Sequence, residues 1–185
     1  MTTIMTKKRF YVRFLLLSLI FLINTGCAES SSIYRQLHKN LKKGKDIVIS
    51  EQSFGEAIDL TGVLSFRPST PGVKRAVVYS NLIFENCTFS SFIAHIRKDN
   101  ILYIVEFRGD VVFKDCVFRQ TVDLSYCTFD REFSVSGSEF IQEFNASNAL
   151  FSGRNILFDN AIFYQQAAFS GSIFNHNTSF FKTQF

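Results

Sequence analysis

The sequence predicts an all-β fold in which short strands wind into coils, each coil pairing with the next. Phenylalanine accounts for 23 of the 185 residues, and from Phe118 to Phe185 it returns every 11 or 12 positions. A small residue precedes each of these phenylalanines by two positions. Residues i and i−2 of a strand point to the same side, so a large and a small side chain both face a narrow interior. Strands this short, with turns between them, stack coil on coil rather than forming hairpin sheets.

Composition excludes several other classes. A chain this rich in aromatic residues is not disordered in its C-terminal half. Glycine does not recur at every third position, heptads are absent, and there is no second long apolar run, which excludes collagen, coiled coils and multi-span membrane proteins.

The repeat defines a predicted core. Its central phenylalanines are Phe89, Phe118, Phe129, Phe140, Phe151, Phe163, Phe174 and Phe185. The small residues two positions before them are Cys87, Cys116, Cys127, Ser138, Ala149, Ala161, Ser172 and Thr183.

The repeat resembles the pentapeptide-repeat family, whose signature is a central Phe or Leu with a small residue two positions before it. Residues 113–118 (FKDCVF), 124–129 (LSYCTF), 158–163 (FDNAIF) and 169–174 (FSGSIF) show this signature. The resemblance covers residues 84–89 and 107–185, and it implies a right-handed quadrilateral β-helix. Here the units alternate between five and six residues, so the four-sided coil that the resemblance implies holds about 22 residues rather than the family's 20. On this count we expect one column of Phe118, Phe140, Phe163 and Phe185, with a one-residue insertion near Gly153, and a second column of Phe129, Phe151 and Phe174. We therefore expect residues 107–185 to form the β-helix.

The N-terminus has the pattern of a signal peptide. Lys7, Lys8, Arg9 and Arg13 precede an apolar segment at residues 14–23, which is too short to favour a spanning helix. Residues 25–27 (TGC) resemble the lipobox of bacterial lipoproteins, which implies cleavage after residue 26 and lipid attachment at Cys27. We expect residues 1–26 to be a signal peptide and the protein to be anchored in the bacterial envelope, facing the outer membrane or periplasm. A plain secretory signal, giving a secreted protein, and an uncleaved anchor are the alternatives.

A tether and a short capping helix are predicted at residues 27–45. Ile33, Leu37 and Leu41 recur with helical spacing. Ser32 is a suitable N-cap and Gly44 a suitable stop. Basic residues near the end of the helix either contact anionic headgroups or simply lie on a solvated helix face.

Residues 46–106 are expected to form an N-terminal β segment with the first repeat and an inserted hairpin. Strands are predicted at residues 46–50, 57–60 and 76–84, and a loop at residues 67–74, which contain both prolines. Residues 92–105 interrupt the repeat. They predict either a hairpin that leaves the wall or one long side of an early coil. The segment serves either to bind a partner or to cap the coil.

Charge offers no argument for nucleic-acid binding. Residues 27–185 contain 16 Lys and Arg and 16 Asp and Glu, so the chain after the signal segment is balanced. The basic character of the whole sequence comes from its first residues.

The chain contains no motif of a catalytic or metal site. Cys87, Cys116 and Cys127 lie at inward positions and are expected to be buried thiols, although an oxidising envelope would permit a disulfide. His38, His95 and His176 are far apart in sequence, and the acidic residues of the repeat share no register: Asp115, Asp123, Glu139 and Asp159. Asn86, Asn145 and Asn177 are interpreted as turn residues rather than glycosylation sites. We expect no enzyme activity, no cofactor and no metal.

Three functional hypotheses follow. The first is a non-catalytic envelope lipoprotein that presents a flat wall to a protein or glycan partner. The second is a DNA mimic that shields topoisomerases, as in some members of the family; residues 107–185, with eight acidic and six basic residues, are only weakly acidic for this role. The third is an N-terminal fragment of a longer repeat protein. Phe185 is at a core position, which alternatively predicts that this end docks on a second copy as a homodimer.

Overall fold

The computed structural model describes residues 33–185. The chain divides into two units, Met1–Gln36 and Leu37–Phe185. Residues 33–42 are α-helical (α1). The helix ends in a Schellman motif: the Lys45 N–H donates to the Asn40 carbonyl at 3.0 Å and the Gly44 N–H to the Leu41 carbonyl at 3.1 Å. Gly44 has a φ of 60°, so the predicted stop of the helix is confirmed. Ser32, the predicted N-cap, lies outside the described residues.

Five coils of strands follow the helix. The first contains β1 (Ile47–Ser50), β2 (Ser53–Phe54), β3 (Ile58–Asp59), a 3-10 helix (Leu60–Gly62), β4 (Arg67–Thr70) and β5 (Val73–Val78). The second contains β6 (Leu82–Glu85), β7 (Thr88–Phe89), β8 (Phe92–Ile93), β9 (His95–Lys98) and β10 (Ile101–Phe107). The third contains β11 (Val111–Lys114), β12 (Val117–Phe118), β13 (Val122–Asp123) and β14 (Thr128–Phe129).

The last coils repeat the pattern of the third. The fourth contains β15 (Phe133–Ser134), β16 (Glu139–Phe140), β17 (Phe144–Asn145) and β18 (Leu150–Phe151). The fifth contains β19 (Ile156–Leu157), β20 (Ile162–Phe163), β21 (Ala167–Ala168) and β22 (Ile173–Phe174). β23 (Thr178–Ser179) begins a further coil, in which Gln184 bridges to Ile162.

Corresponding strands of successive coils form four sheets. Sheet 1 has the order β1-β6-β11-β15-β19-β23, and sheet 2 the order β2-β7-β12-β16-β20. Sheet 3 has the order β3-β8-β13-β17-β21, and sheet 4 the order β4-β5-β10-β14-β18-β22, with β9 paired beside β10. In the part of the chain that the structure describes, pairing is parallel except within the hairpins β4–β5 and β9–β10. The predicted all-β fold of parallel coils is confirmed.

The register between coils gives the length of the repeat. Val111 pairs with Phe133, 22 positions later, whereas Phe133 pairs with Ile156, 23 positions later. Phe129 still pairs with Phe151 at the shorter spacing, so the extra residue lies between Phe151 and Ile156. Gly153 is in this segment, where an added Cβ would lie 1.6 Å from the Arg131 carbonyl oxygen.

Two expectations for the N-terminal segment were wrong. Residues 67–74 are not a loop: Arg67–Thr70 form β4, which pairs antiparallel with β5. The two prolines in this segment predicted a loop. Proline is tolerated in β4 because β4 is the edge strand of its sheet, where one side of the backbone has no neighbouring strand to bond. Residues 76–84 are not one strand either. They are divided between β5 and β6, which belong to different sheets.

Candidate functional site

The predicted lipid-attachment residue Cys27 and the apolar segment at residues 14–23 lie outside the described residues. Within residues 33–185, no helix is long and apolar enough to cross a membrane.

The predicted core phenylalanines form two columns of stacked rings. In the first, Phe89, Phe118, Phe140 and Phe163 follow one another at ring-centroid distances of 4.8–4.9 Å. Phe54 extends this column at 4.9 Å from Phe89, although the sequence analysis did not include it. The second column contains Phe129, Phe151 and Phe174, and Phe107, which the sequence analysis did not include either, extends it; the centroids are 4.7–5.0 Å apart. Parallel strand pairing sets this spacing, because in-register neighbours repeat at about 4.8 Å.

The last described coil leaves aromatic rings uncovered. Phe185 stacks on Phe163 at 5.3 Å but is 75% exposed. Phe181 is 62% exposed, and Phe180 is exposed on one side while its other side stacks on Phe158 at 4.6 Å. These rings form an apolar end surface, defined by Phe180, Phe181 and Phe185.

The three described cysteines are buried, free thiols. Cys87 and Cys116 occupy the same corner of successive coils, because Thr88 pairs with Val117. The Cys116 thiol donates to the carbonyls of Lys114 at 3.3 Å and Phe84 at 3.6 Å. Burial raises the pKa of Cys116 to about 12, and burial likewise raises the pKa of Cys127 to about 12. These groups are therefore protonated, unreactive core side chains at neutral pH.

One wall of the first two coils extends into a flap of four strands, defined by β4, β5, β9 and β10. β5 and β10 are six and seven residues long, whereas later strands of sheet 4 have two residues. They pair in parallel from Val73 with Leu102 to Val78 with Phe107. β4 pairs beyond β5, and β9 pairs with the first half of β10, whose last two residues pair with β14. Residues 92–105 thus include both a hairpin and one long side of a coil.

An aromatic ring and a lysine pack on one face of the flap. The ring of Phe66 meets the ring of Tyr103 edge to face at a centroid distance of 5.4 Å. On the neighbouring strand, the Lys74 ammonium lies 5.2 Å from the Tyr103 centroid and donates to the Tyr103 hydroxyl at 3.4 Å. The flap is therefore an ordered element with its own packing.

A polar cluster ties the base of the flap to the third coil. His95 Nδ1 lies 2.9 Å from Ser125 Oγ and 3.4 Å from Asp123 Oδ2. Ser125 donates to Asp123 Oδ1 through its hydroxyl at 2.5 Å and its backbone N–H at 3.0 Å. Burial opposes ionisation of Asp123, but the hydrogen bonds from His95 and Ser125 outweigh it and lower the pKa of this carboxyl.

The geometry of this cluster differs from that of a catalytic triad. In a triad, the hydroxyl and the carboxylate contact opposite nitrogens of the imidazole, so the ring can accept the hydroxyl proton. Here both groups contact Nδ1, while His95 Nε2 is buried and has no partner among the described residues. Ser125 is 3% exposed. The arrangement therefore acts as a clamp between β9 and the corner after β13, which we call the His95 clamp.

Sequence reasoning missed the His95 clamp. The sequence analysis compared Asp123 only with the other acidic residues of the repeat. Ile93 pairs with Asp123, and this register carries His95 next to Ser125. The available signal was the pair Asp123 and Ser125, two positions apart on one face. The histidine partner could not be found because residues 92–105 do not follow the repeat.

The other predicted residues have turn or surface roles. Asn86 adopts a φ of 52° at a corner and is a turn residue, whereas Asn145 is the last residue of β17 and its Oδ1 accepts the Ser147 N–H at 3.0 Å. Asp159 Oδ1 accepts the Phe181 N–H at 2.9 Å, and Glu139 accepts from the Tyr164 hydroxyl at 3.3 Å. In residues 33–185, no group of His, Cys, Asp and Glu is arranged to hold a metal ion.

The strands of the flap are rich in basic residues. They contain Arg67, Lys74, Arg75, Arg97 and Lys98. Ion pairs within the described residues involve Arg108, Lys114 and His95, and none involves a basic residue of the flap. Arg67 lies directly opposite Arg75 in the β4–β5 pair. Like charges at opposed positions destabilise a sheet.

No family model, curated protein or solved structure matches this chain.

Proposed function

We propose that this protein is a non-catalytic pentapeptide-repeat lipoprotein of the bacterial envelope, anchored through Cys27, that acts as an interaction module for a protein or glycan. The observation that carries the proposal is the flap. Residues 108–185 follow a regular coil, whereas the flap lengthens the coil strands β5 and β10, adds β4 and β9 beside them, and is held in place by the His95 clamp.

The four-sheet coil supports membership of the pentapeptide-repeat family and a right-handed quadrilateral path. Each coil has one inward phenylalanine or similar residue per sheet, and small residues precede the two phenylalanine columns. The corner residues adopt positive φ, as at Asn160 (56°) and Gly171 (70°). A turn with positive φ at its third position requires Gly, Asn or a similar residue.

The envelope location rests on the N-terminal sequence. Basic residues, a short apolar segment and a TGC ending form the pattern of a lipoprotein signal. This part of the proposal is tested by labelled-palmitate incorporation and cell fractionation, comparing the wild type with Cys27→Ala. We expect label in the wild type, no label in the variant, and wild-type protein in the membrane fraction. Unlabelled protein in the cytosol would overturn the proposal and would place the alternative, a topoisomerase-shielding DNA mimic, next for a gyrase-inhibition assay.

The interaction role is tested by site-specific photo-crosslinking in the envelope. Ile96 of β9 is exposed on the flap, and Tyr164 is exposed on the wall of the fifth coil. A photoreactive residue at position 96 should give a discrete crosslinked product, and the same residue at position 164 should not. Equal products from both positions would assign the interaction to the wall rather than to the flap.

The apolar end surface favours a second proposal, a homodimer of two copies. Phe180, Phe181 and Phe185 expose aromatic rings, and a two-fold contact would bury them against the same rings of a second copy. Sedimentation velocity should give a dimer, and Phe181→Ser combined with Phe185→Ser should give a monomer. A wild type that is monomeric at high micromolar concentration would contradict this proposal.

A further inference from the structure

Charge is segregated along the coils of the Leu37–Phe185 unit. Residues 37–107, which end with the flap strand β10, contain nine Lys and Arg and seven Asp and Glu, whereas residues 108–185 contain six Lys and Arg and eight Asp and Glu. The net charge of the whole unit is therefore near zero, although its first part is basic and its second part is acidic. Four of the basic residues are exposed around the end of α1: Lys39, Lys42, Lys43 and Lys45.

The flap accounts for the other five basic residues of this first part. Protection of sheet edges explains some of them, because Lys and Arg on edge strands prevent pairing with other chains. It explains Arg67 on β4 and Arg97 on β9. It does not explain Lys74 and Arg75, which lie on β5 between two paired strands. The opposed pair of Arg67 and Arg75 is unfavourable for the fold, which indicates that the charges serve binding.

The arrangement of these charges suits an extended anionic layer better than a small anion. Arg67 and Arg75 occupy one face of the flap, and Lys74 occupies the other, beside Tyr103. The side chains do not converge on one point, as they would around a bound phosphate. Ile96, an exposed apolar residue, directly precedes the two charged positions of β9, Arg97 and Lys98. Basic residues interleaved with apolar and aromatic ones are typical of protein surfaces that contact lipid headgroups.

We infer that the flap docks on an anionic phospholipid surface through the phosphate groups of the lipids. The inference rests on the proposed function only for the presence of a membrane nearby. The excess of acidic residues in the later coils, residues 108–185, is then repelled by the same surface.

Vesicle binding tests this inference without lipidation. The full chain with Cys27→Ser is mixed with vesicles of phosphatidylcholine alone or with 30% phosphatidylglycerol, and binding is measured by flotation. The apolar segment at residues 14–23 contributes equally to both vesicles, and Lys7, Lys8, Arg9 and Arg13 before it favour the anionic vesicles. The contribution of the flap is therefore the change in the ratio of the two partition coefficients between variants that keep the same N-terminal sequence. We expect the ratio to exceed about tenfold at low salt and to fall toward one in high salt.

Two matched triple variants locate the binding surface. Arg67→Gln, Arg97→Gln and Lys98→Gln remove three exposed charges from the flap. Arg119→Gln, Arg131→Gln and Arg154→Gln remove three exposed charges from later coils and serve as the control. We expect the flap variant to lose at least about tenfold in the ratio and the control variant to change it less than about twofold. Circular dichroism and thermal melting establish that both variants fold.

Three outcomes would overturn the inference. They are equal binding to both vesicles, equal loss in the two triple variants, and tighter binding to a DNA duplex or an acidic polysaccharide than to the anionic vesicles at equal charge concentration. None of these outcomes bears on palmitate labelling at Cys27, so failure here is distinguishable from failure of the proposed function.

Discussion

The rings of Phe118 and Phe140 are parallel to within 3°, with their centroids 4.9 Å apart. Each ring is buried, and Phe140 also stacks on Phe163 at 4.8 Å. Because parallel strands repeat in register, one ring per coil occupies the same place, and the core is a column rather than an irregular cluster.

Truncation of this column should be strongly destabilising. Phe140→Ala removes a fully buried ring from between two others, and we expect the free energy of unfolding to fall by about 3–5 kcal/mol. Tyr79→Ala is the control, because this side chain is 72% exposed, and it should change stability by less than about 1 kcal/mol. Urea unfolding followed by circular dichroism gives both values. Similar losses in the two variants would contradict the column as the source of stability.

Gly153 should not tolerate a side chain. An added Cβ would lie 1.6 Å from the Arg131 carbonyl oxygen of the preceding coil, and the backbone would have to move. Gly153→Ala is expected to reduce the free energy of unfolding by about 1–3 kcal/mol. Gly55→Ala is the matched control, since its Cβ would meet nothing within 4 Å, and it should be neutral. A stable Gly153→Ala variant would mean that the inserted residue is accommodated elsewhere.

The buried thiols should be inert in the folded protein. Burial raises the pKa of both Cys116 and Cys127 to about 12, so at pH 7.5 the nucleophilic thiolate is scarce as well as inaccessible. In a Cys27→Ser background, we expect negligible labelling by iodoacetamide before urea is added, and labelling of Cys87, Cys116 and Cys127 afterwards. Mass spectrometry locates the label. Rapid labelling of Cys116 in the native protein would contradict the structure.

The His95 clamp should make stability depend on pH. The folded-state pKa of Asp123 is lowered from its usual 3.8, so the stabilising effect of its ionised form is present above that value and is lost as the pH falls through the folded-state pKa. Asp123→Asn should cost about 1–2 kcal/mol at pH 7 and progressively less below pH 4. Urea unfolding at pH 7 and pH 3 measures the difference. A constant difference between variant and wild type would show that the carboxylate charge is not involved.

The local stability of the flap should depend on the His95 clamp. His95→Ala removes the contacts of β9 with Ser125 and Asp123 while leaving the coil intact. Amide hydrogen exchange of β9 should accelerate at least about tenfold, with little change in β16 and β20, which serve as the internal reference. Uniform acceleration over the coils would indicate a global rather than a local effect.

The sequence by itself determined the repeat. Inward and outward positions alternate locally within each strand, so the large and small inward residues could be recognised without knowledge of their neighbours. The regular spacing predicted the extra residue near Gly153. Together with the four-sided coil that the resemblance to the pentapeptide-repeat family implies, it predicted the coil length and most members of both phenylalanine columns. Phe54 and Phe107 escaped detection because no small residue precedes them by two positions, where Gln52 and Val105 stand.

Only the tertiary structure decided what departs from the repeat. A loop was predicted for β4 because Pro68 and the following Pro71 disfavour a strand locally. This segment is a strand only because it pairs with β5. The contact of His95 with Ser125 spans 30 positions and depends on the register of Ile93 with Asp123. The opposition of Arg67 and Arg75 likewise exists only once the strands are paired. These contacts involve segments that do not belong to the repeat. Because such segments have no regular spacing, their pairing partners could not be predicted from the sequence.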